Sequence, residues 1–299
     1  MPATTEPLLS PKFISQLDRL DVRSRRMLRG KMQGERRSKK RGQSVEFADY
    51  RSYVVGDDLR RIDWNLYARL DKLFLRLFLE EEDLQVSVIL DVSKSMDYGE
   101  PSKLHYGKQL AAALCYIALT HQNRTALYTA ADTVVGQMTD LRGRRPIPRV
   151  FDFLESVEPV EGGNLEQACK RFALLQQRPG VVILISDFFD KGELADALRY
   201  LAMPRYDCYA IQLLSPQEVD PAKAGIAGDL RLTDLEDGDG AEVSVSPALL
   251  KKYQARLEAY CQHVQDTALR RDIAYLLGQT DVPIEELVLK SMRQRGLLG

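Results

Sequence analysis

The chain has 299 residues, an apolar fraction of 44% and a formal net charge of −1, which is the balance of a globular protein able to bury a sizeable core. So small a net charge excludes a global field that would draw the chain to nucleic acid or to a membrane surface. No run of residues approaches the ~18 apolar positions of a membrane span, and the Met1–Glu6 start has no basic-then-apolar leader pattern, so a cytoplasmic protein is expected. The four cysteines, Cys115, Cys169, Cys208 and Cys261, are scattered without metal-ligand spacing and read as reduced, buried thiols.

In chain order, residues 1–9 read as a loose start, and Pro11 to Leu20 as a short helix with Phe13, Leu17 and Leu20 on one face. A basic run follows from Arg23 to Arg41, opposed only by Glu35, and reads as a solvated tail. From Gly42 to Arg69 aromatics mix with charges of both signs. There Asp57, Asp58 and Asp63 with Arg51, Arg60, Arg61 and Arg69 read as a salt-bridge network that pins the segment, with Trp64 as a core anchor. Lys72 to Glu80 reads as a strand, joined through an acidic turn to the next strand as a hairpin.

Val86 to Leu90 is a continuous apolar run that reads as a buried strand, and Leu104 to Thr120 as a long helix. Thr125–Ala130 and Thr133–Gln137 form a predicted hairpin. Helices are expected over Pro148–Ser156, Leu165–Leu175 and Glu193–Met203, with strands over Gly180–Ser186 and Cys208–Leu213. The turn signal Asp237-Gly238-Asp239-Gly240 separates strands Leu230–Leu235 and Glu242–Val245. Pro247 opens a helix to about Val264, and Ile273–Leu277 and Ile284–Met292 close the chain as strand and helix. Short apolar strands alternating with helices predict an α/β fold, a mostly parallel central sheet with helices on both faces and a small N-terminal helical and β extension. The expected division is 1–41 as a basic extension, 42–82 as a segment with an edge strand, and 83–299 as the main domain.

Asp91-Val92-Ser93-Lys94-Ser95 sets one carboxylate and two hydroxyls on the loop leaving a strand, where open α/β sheets place ligands. These are hard oxygen donors, suited to Mg²⁺. Ser186-Asp187 ends the strand before it, and Gly162-Gly163-Asn164 opens a helix, so three loops are expected to converge. Asp91 would hold the cation, Ser93 and Ser95 would coordinate it, and Asp187 would ligate it or orient a bound water. Asp97 and Asp190 flank these loops as second candidates. The histidines, His105, His121 and His263, fall in no site motif, and His105 reads as a surface residue at a helix start.

Asp-x-Ser-x-Ser after a strand, then Gly-Gly-x, then a strand ending in Ser-Asp, resembles the metal-ion-dependent adhesion site of the von Willebrand factor A domain. The resemblance implies Mg²⁺ or Mn²⁺ held by Asp91, Ser93, Ser95 and Asp187, with Asn164 at the place of that family's distant threonine. It also implies an open position that takes a carboxylate from a protein partner. Gly42-Gln43-Ser44-Val45-Glu46-Phe47, Arg51-Ser52-Tyr53, Gly56-Asp57-Asp58-Leu59-Arg60-Arg61-Ile62-Asp63-Trp64 and Ala68-Arg69 resemble the hallmark of the bacterial domain-of-unknown-function 58 family, in its short subgroup without membrane helices. That resemblance implies a protein partner, an AAA+ ATPase of the MoxR type.

The metal loops contain neither a nucleophile with a base nor a Gly-x4-Gly-Lys-Ser/Thr phosphate loop, so a non-enzymatic interaction module is expected. A metal-dependent phosphoester hydrolase is the alternative, although Ser93 stands where a phosphoaspartate enzyme wants a second carboxylate. A third reading, a nucleic-acid or acidic-surface adaptor through residues 23–41, is weakened by the lack of interleaved stacking aromatics.

Overall fold

The computed structural model describes residues 7–25, 45–80, 84–190, 192–221, 228–233 and 240–299. The chain divides into two units, Met1–Arg29 with Leu84–Gly299, and Gly30–Asp83. The first residues thus belong to the larger unit.

That larger unit is built on a six-stranded sheet. In chain order its strands are β3 (Gln85–Asp91), β4 (Arg124–Ala130), β5 (Val134–Leu141), β6 (Gly180–Ser186), β7 (Tyr206–Leu214) and β10 (Ala274–Gln279). Their spatial order is β10-β7-β6-β3-β4-β5, and only the β4–β5 hairpin is antiparallel. The expected α/β class is therefore present. The apolar runs read as buried strands because both faces are covered: every residue of β3 and of β7 is buried.

Alternation along the strands divides the core in two. Val86, Val88, Leu90, Val181, Ile183 and Ile185 face the Lys103–Thr120 and Ile147–Ser156 helices. Ile89, Val182 and Leu184 face the opposite layer, formed by the Leu165–Leu175 and Leu194–Leu201 helices and the end of the Pro247–Leu269 helix. The chain leaves β3 toward β4 on one side and leaves β6 toward β7 on the other. The crevice between the carboxyl ends of β3 and β6 is the switch point, where such sheets place ligands.

Three expectations change in this unit. The described part of the expected loose start, residues 7–9, is not loose: Leu8 and Leu9 are buried in the first core layer beside Phe13 and Leu17 of the expected helix. Ser10 caps the Pro11–Leu17 helix, and Val22 bridges Leu298. Arg25 is no solvated tail residue either, since its guanidinium grips the buried Asp207 at 2.8 Å and lies over the Tyr209 ring. The last turn, Leu287–Met292, is π-helical. The rest of the basic run, 26–41, and most of the expected turn at 237–240 lie outside the described residues. The strands on either side of that turn, β8 (Gly228–Thr233) and β9 (Gly240–Val245), pair antiparallel in a separate two-stranded sheet.

In the smaller unit, β1 (Val45–Ser52) pairs antiparallel with β2 (Phe74–Glu80). The expected hairpin between Lys72–Glu80 and the strand ending at Asp91 does not form, because β2 pairs with β1 in a separate two-stranded sheet. The chain's aspartates act here largely as caps. Asp58 accepts the Arg60 amide and Asp63 accepts the amides of Asn65 and Leu66 at the start of the Trp64–Leu70 helix, while Tyr50 donates its hydroxyl to Asp63. The Arg51–Asp57 pair does form, at 2.7 Å. Trp64 is not a core anchor, being 60% exposed, because its helix buries no residue. No helix among the described residues is long and apolar enough to cross a membrane.

Candidate functional site

Five residues singled out by sequence, Asp91, Ser93, Ser95, Asn164 and Asp187, line one small cavity of about 10 Å³ at the switch point. That is room for roughly one water or one small ion. Gly163, Ser186, Phe189 and Asp190 share the lining, so Asp190 joins the site. Asp97 is exposed and does not line it, and His105 is an exposed residue of the first helical turn, whose amide donates to Ser102 Oγ.

Backbone pairing brings the loops together. The Val92 amide donates to the Ala130 carbonyl at 2.8 Å, and the Val160 amide donates to the Val92 carbonyl at 2.8 Å. The loop after β3 is thereby fastened both to β4 and to the segment that leads into Asn164. Gly162 turns this segment with φ +89°, a backbone conformation in which any other residue is strained, and a Cβ there would also have to displace the Asp132 carboxylate, 2.6 Å away. Asn164 Oδ1 accepts the Gln167 amide at 2.9 Å and so caps the Leu165–Leu175 helix from the cavity wall.

Each oxygen at the cavity has a defined neighbour. Asp91 Oδ1 accepts the Ser93 amide at 2.9 Å, and Oδ2 accepts the Ser186 hydroxyl at 2.5 Å. Ser93 Oγ and Ser95 Oγ stand 3.1 Å apart, within the reach of one shared small ion. Asp187 Oδ1 accepts the Phe189 amide at 2.9 Å. Its Oδ2 accepts the Lys103 ammonium at 2.7 Å.

Burial and then the neighbouring Asp187 carboxylate push the Asp91 carboxyl up to about 6, against the hydrogen bonds from Ser186 and Ser93. For Lys103 burial works against the charge, but Asp187 and Glu218 outweigh it and hold the ammonium above its ordinary value.

Sequence reasoning missed Lys103, Glu218 and the role of Ser186. Ser215-Pro216-Gln217-Glu218 carried a usable signal for one of them, a capping box that forms in full. Nothing local marks Lys103, because its partners stand 84 and 115 positions away. Among the described residues no group of three or more His, Cys, Asp or Glu side chains is arranged for a metal, so the donors here are chiefly hydroxyl and amide oxygens. The thiols of Cys115, Cys169 and Cys208 are buried and that of Cys261 partly so, and no two of them form a disulfide.

The family model described as "Protein of unknown function DUF58" matches residues 49–263. Uncharacterized protein Rv1480 of Mycobacterium tuberculosis and uncharacterized protein Mb1516 of Mycobacterium bovis are each 27% identical over 262 residues, 86% of this chain and 81% of theirs. Among solved structures, the SpRpn10 VWA domain aligns over 70% of this chain and 95% of its own at 9% identity and a TM-score of 0.42. Proximal thread matrix protein 1 from the mussel byssus aligns over 72% and 46% at 12% identity and a TM-score of 0.37. At such scores the fold class rests on the strand order and pairing described above.

Proposed function

The chain belongs to the DUF58 family, and we propose that it is a non-enzymatic protein-interaction module built around the cavity at the carboxyl edge of its sheet. The observation that carries this reading is the convergence of Asp91, Ser93, Ser95, Asn164 and Asp187 on one ion-sized space. The donor chemistry fits a hard divalent cation, Mg²⁺ or Mn²⁺. Asp91 is a buried carboxylate that no cationic side chain pairs with among the described residues, and burying such a charge is costly without a counter-ion. Asp91, Ser93 and Ser95 would hold the cation, Asn164 would offer an amide oxygen, and Asp187, with both oxygens engaged, would act through water. When bound, the ion supplies a positive point for a carboxylate of a protein partner.

The serines of the lining have no histidine among the lining residues to act as their base, which favours binding over nucleophilic chemistry. On the family resemblance, the partner is an AAA+ ATPase of the MoxR type, with this chain as its adaptor. The test is affinity purification from the native cell with wild type and Asp91→Ala, each with and without EDTA. Recovery of the ATPase should depend on both the metal and Asp91, with unchanged circular dichroism. Equal recovery in all four samples would sink the reading.

A further inference from the structure

Lys103 opens the Lys103–Thr120 helix and is 0% exposed. A lysine is almost never so buried unless paired, and this one reaches two carboxylates, Asp187 Oδ2 at 2.7 Å and Glu218 Oε1 at 2.5 Å. Its ammonium also lies 5.1 Å from the centre of the Phe189 ring and 5.9 Å from that of Tyr98, faces that favour a cation. Glu218 is itself held still, since the Ser215 amide and hydroxyl donate to its Oε2 at 2.7 and 3.0 Å, which leaves Oε1 for the lysine. A lysine serving packing alone has no reason to select the carboxylate that lines the cavity. Lys103 does select it, and Asp187 is fixed between the ammonium and the Phe189 amide.

The geometry points to Lys103 as a positioning residue that sets how tightly the cavity holds its cation. It neutralises Asp187 and keeps that carboxylate from serving as a fully charged ligand. Hydroxyl oxygens then dominate around the ion, whose outward face stays positive enough to take a foreign carboxylate. The physical basis is ligand charge count: each added carboxylate tightens a hard-cation site and quenches the ion's remaining charge. This inference rests on the proposed function, in that it assumes the cavity takes a divalent cation.

The test is Mn²⁺ titration by calorimetry on full-length wild type, Lys103→Met and Glu218→Gln, with thermal unfolding of each metal-free protein. Lys103→Met makes the cluster one charge more negative and should bind Mn²⁺ about tenfold more tightly. Glu218→Gln leaves the ammonium wholly to Asp187 and should weaken Mn²⁺ binding several-fold. Both variants should unfold at lower temperature without metal, because each strips a partner from a buried pair. A purely structural clamp would lower affinity and stability together in both variants. Affinities that move in the same direction, or not at all, overturn the assignment. Should Lys103→Met fail to fold, unchanged or tighter binding by Glu218→Gln overturns it. A wild type that binds no Mn²⁺ removes the proposed function and this inference with it, whereas binding by wild type with the wrong pattern in the variants removes this inference alone.

Discussion

Asp91 shows how one side chain carries opposite effects on stability and on binding. Its carboxyl is raised to about 6 by burial first and by Asp187 second. A raised folded value means that the native state holds the proton longer than the unfolded chain does. Any stability this group contributes is complete below the ordinary carboxylate value near 4 and is lost as pH rises through about 6. Without metal, Asp91→Asn should therefore be more stable than wild type at pH 8, and the difference should shrink toward pH 4. Added Mn²⁺ should reverse the order at pH 8 by stabilising wild type alone. Thermal scans at the two pH values with and without the ion check this, and a wild type that stays the more stable without metal at pH 8 contradicts the assignment of cause. The site's oxygen donors were legible as residue types, since Asp and Ser after strands and Asn at a helix start are local features of the sequence. Which of their lone pairs are already taken was not, because Ser186 and Lys103 reach them from 95 and 84 positions away in the chain.

At the scale of elements, the Leu165–Leu175 helix joins local structure to the cavity through Asn164. Asn164 both caps the helix through Oδ1 and lines the cavity, so two roles must be separated. Asn164→Ala should cost about 1 kcal/mol in urea unfolding through the lost cap, whereas Asn164→Gly should cost only a few tenths. If the amide oxygen also serves the ion, both variants should lose Mn²⁺ affinity to the same extent despite their unequal stabilities. Affinity that follows stability instead would leave Asn164 as a cap and nothing more. The strands and helices after Leu84 were legible because both faces of the sheet are covered, so each strand is a plain apolar run such as Val181–Ile185. The segment 45–70 was not. β1 pairs with β2 across more than twenty intervening residues, and the Trp64–Leu70 helix buries nothing, so neither writes a clean hydrophobic period into the sequence.

At the scale of the whole molecule, the larger unit recruits the beginning of the chain into its core. Phe13 is 1% exposed and Leu17 0%, and Asp21 exchanges backbone hydrogen bonds with Gly299. Phe13→Ala should lower unfolding stability by about 3–5 kcal/mol while the folded fraction keeps its Mn²⁺ affinity. A loss below about 1 kcal/mol in urea unfolding would mean that the Pro11–Leu17 helix is not part of the core. From its own letters the chain determined the α/β class, the order of its main elements and the oxygen chemistry after β3 and β6, because periodicity and loop composition are local properties. Tertiary structure alone decided that residues 7–25 close the larger unit, that β2 pairs with β1, and that a buried lysine guards one of the two carboxylates. Those outcomes depend on desolvation and on charge pairs between residues far apart in the chain, and no local pattern encodes either.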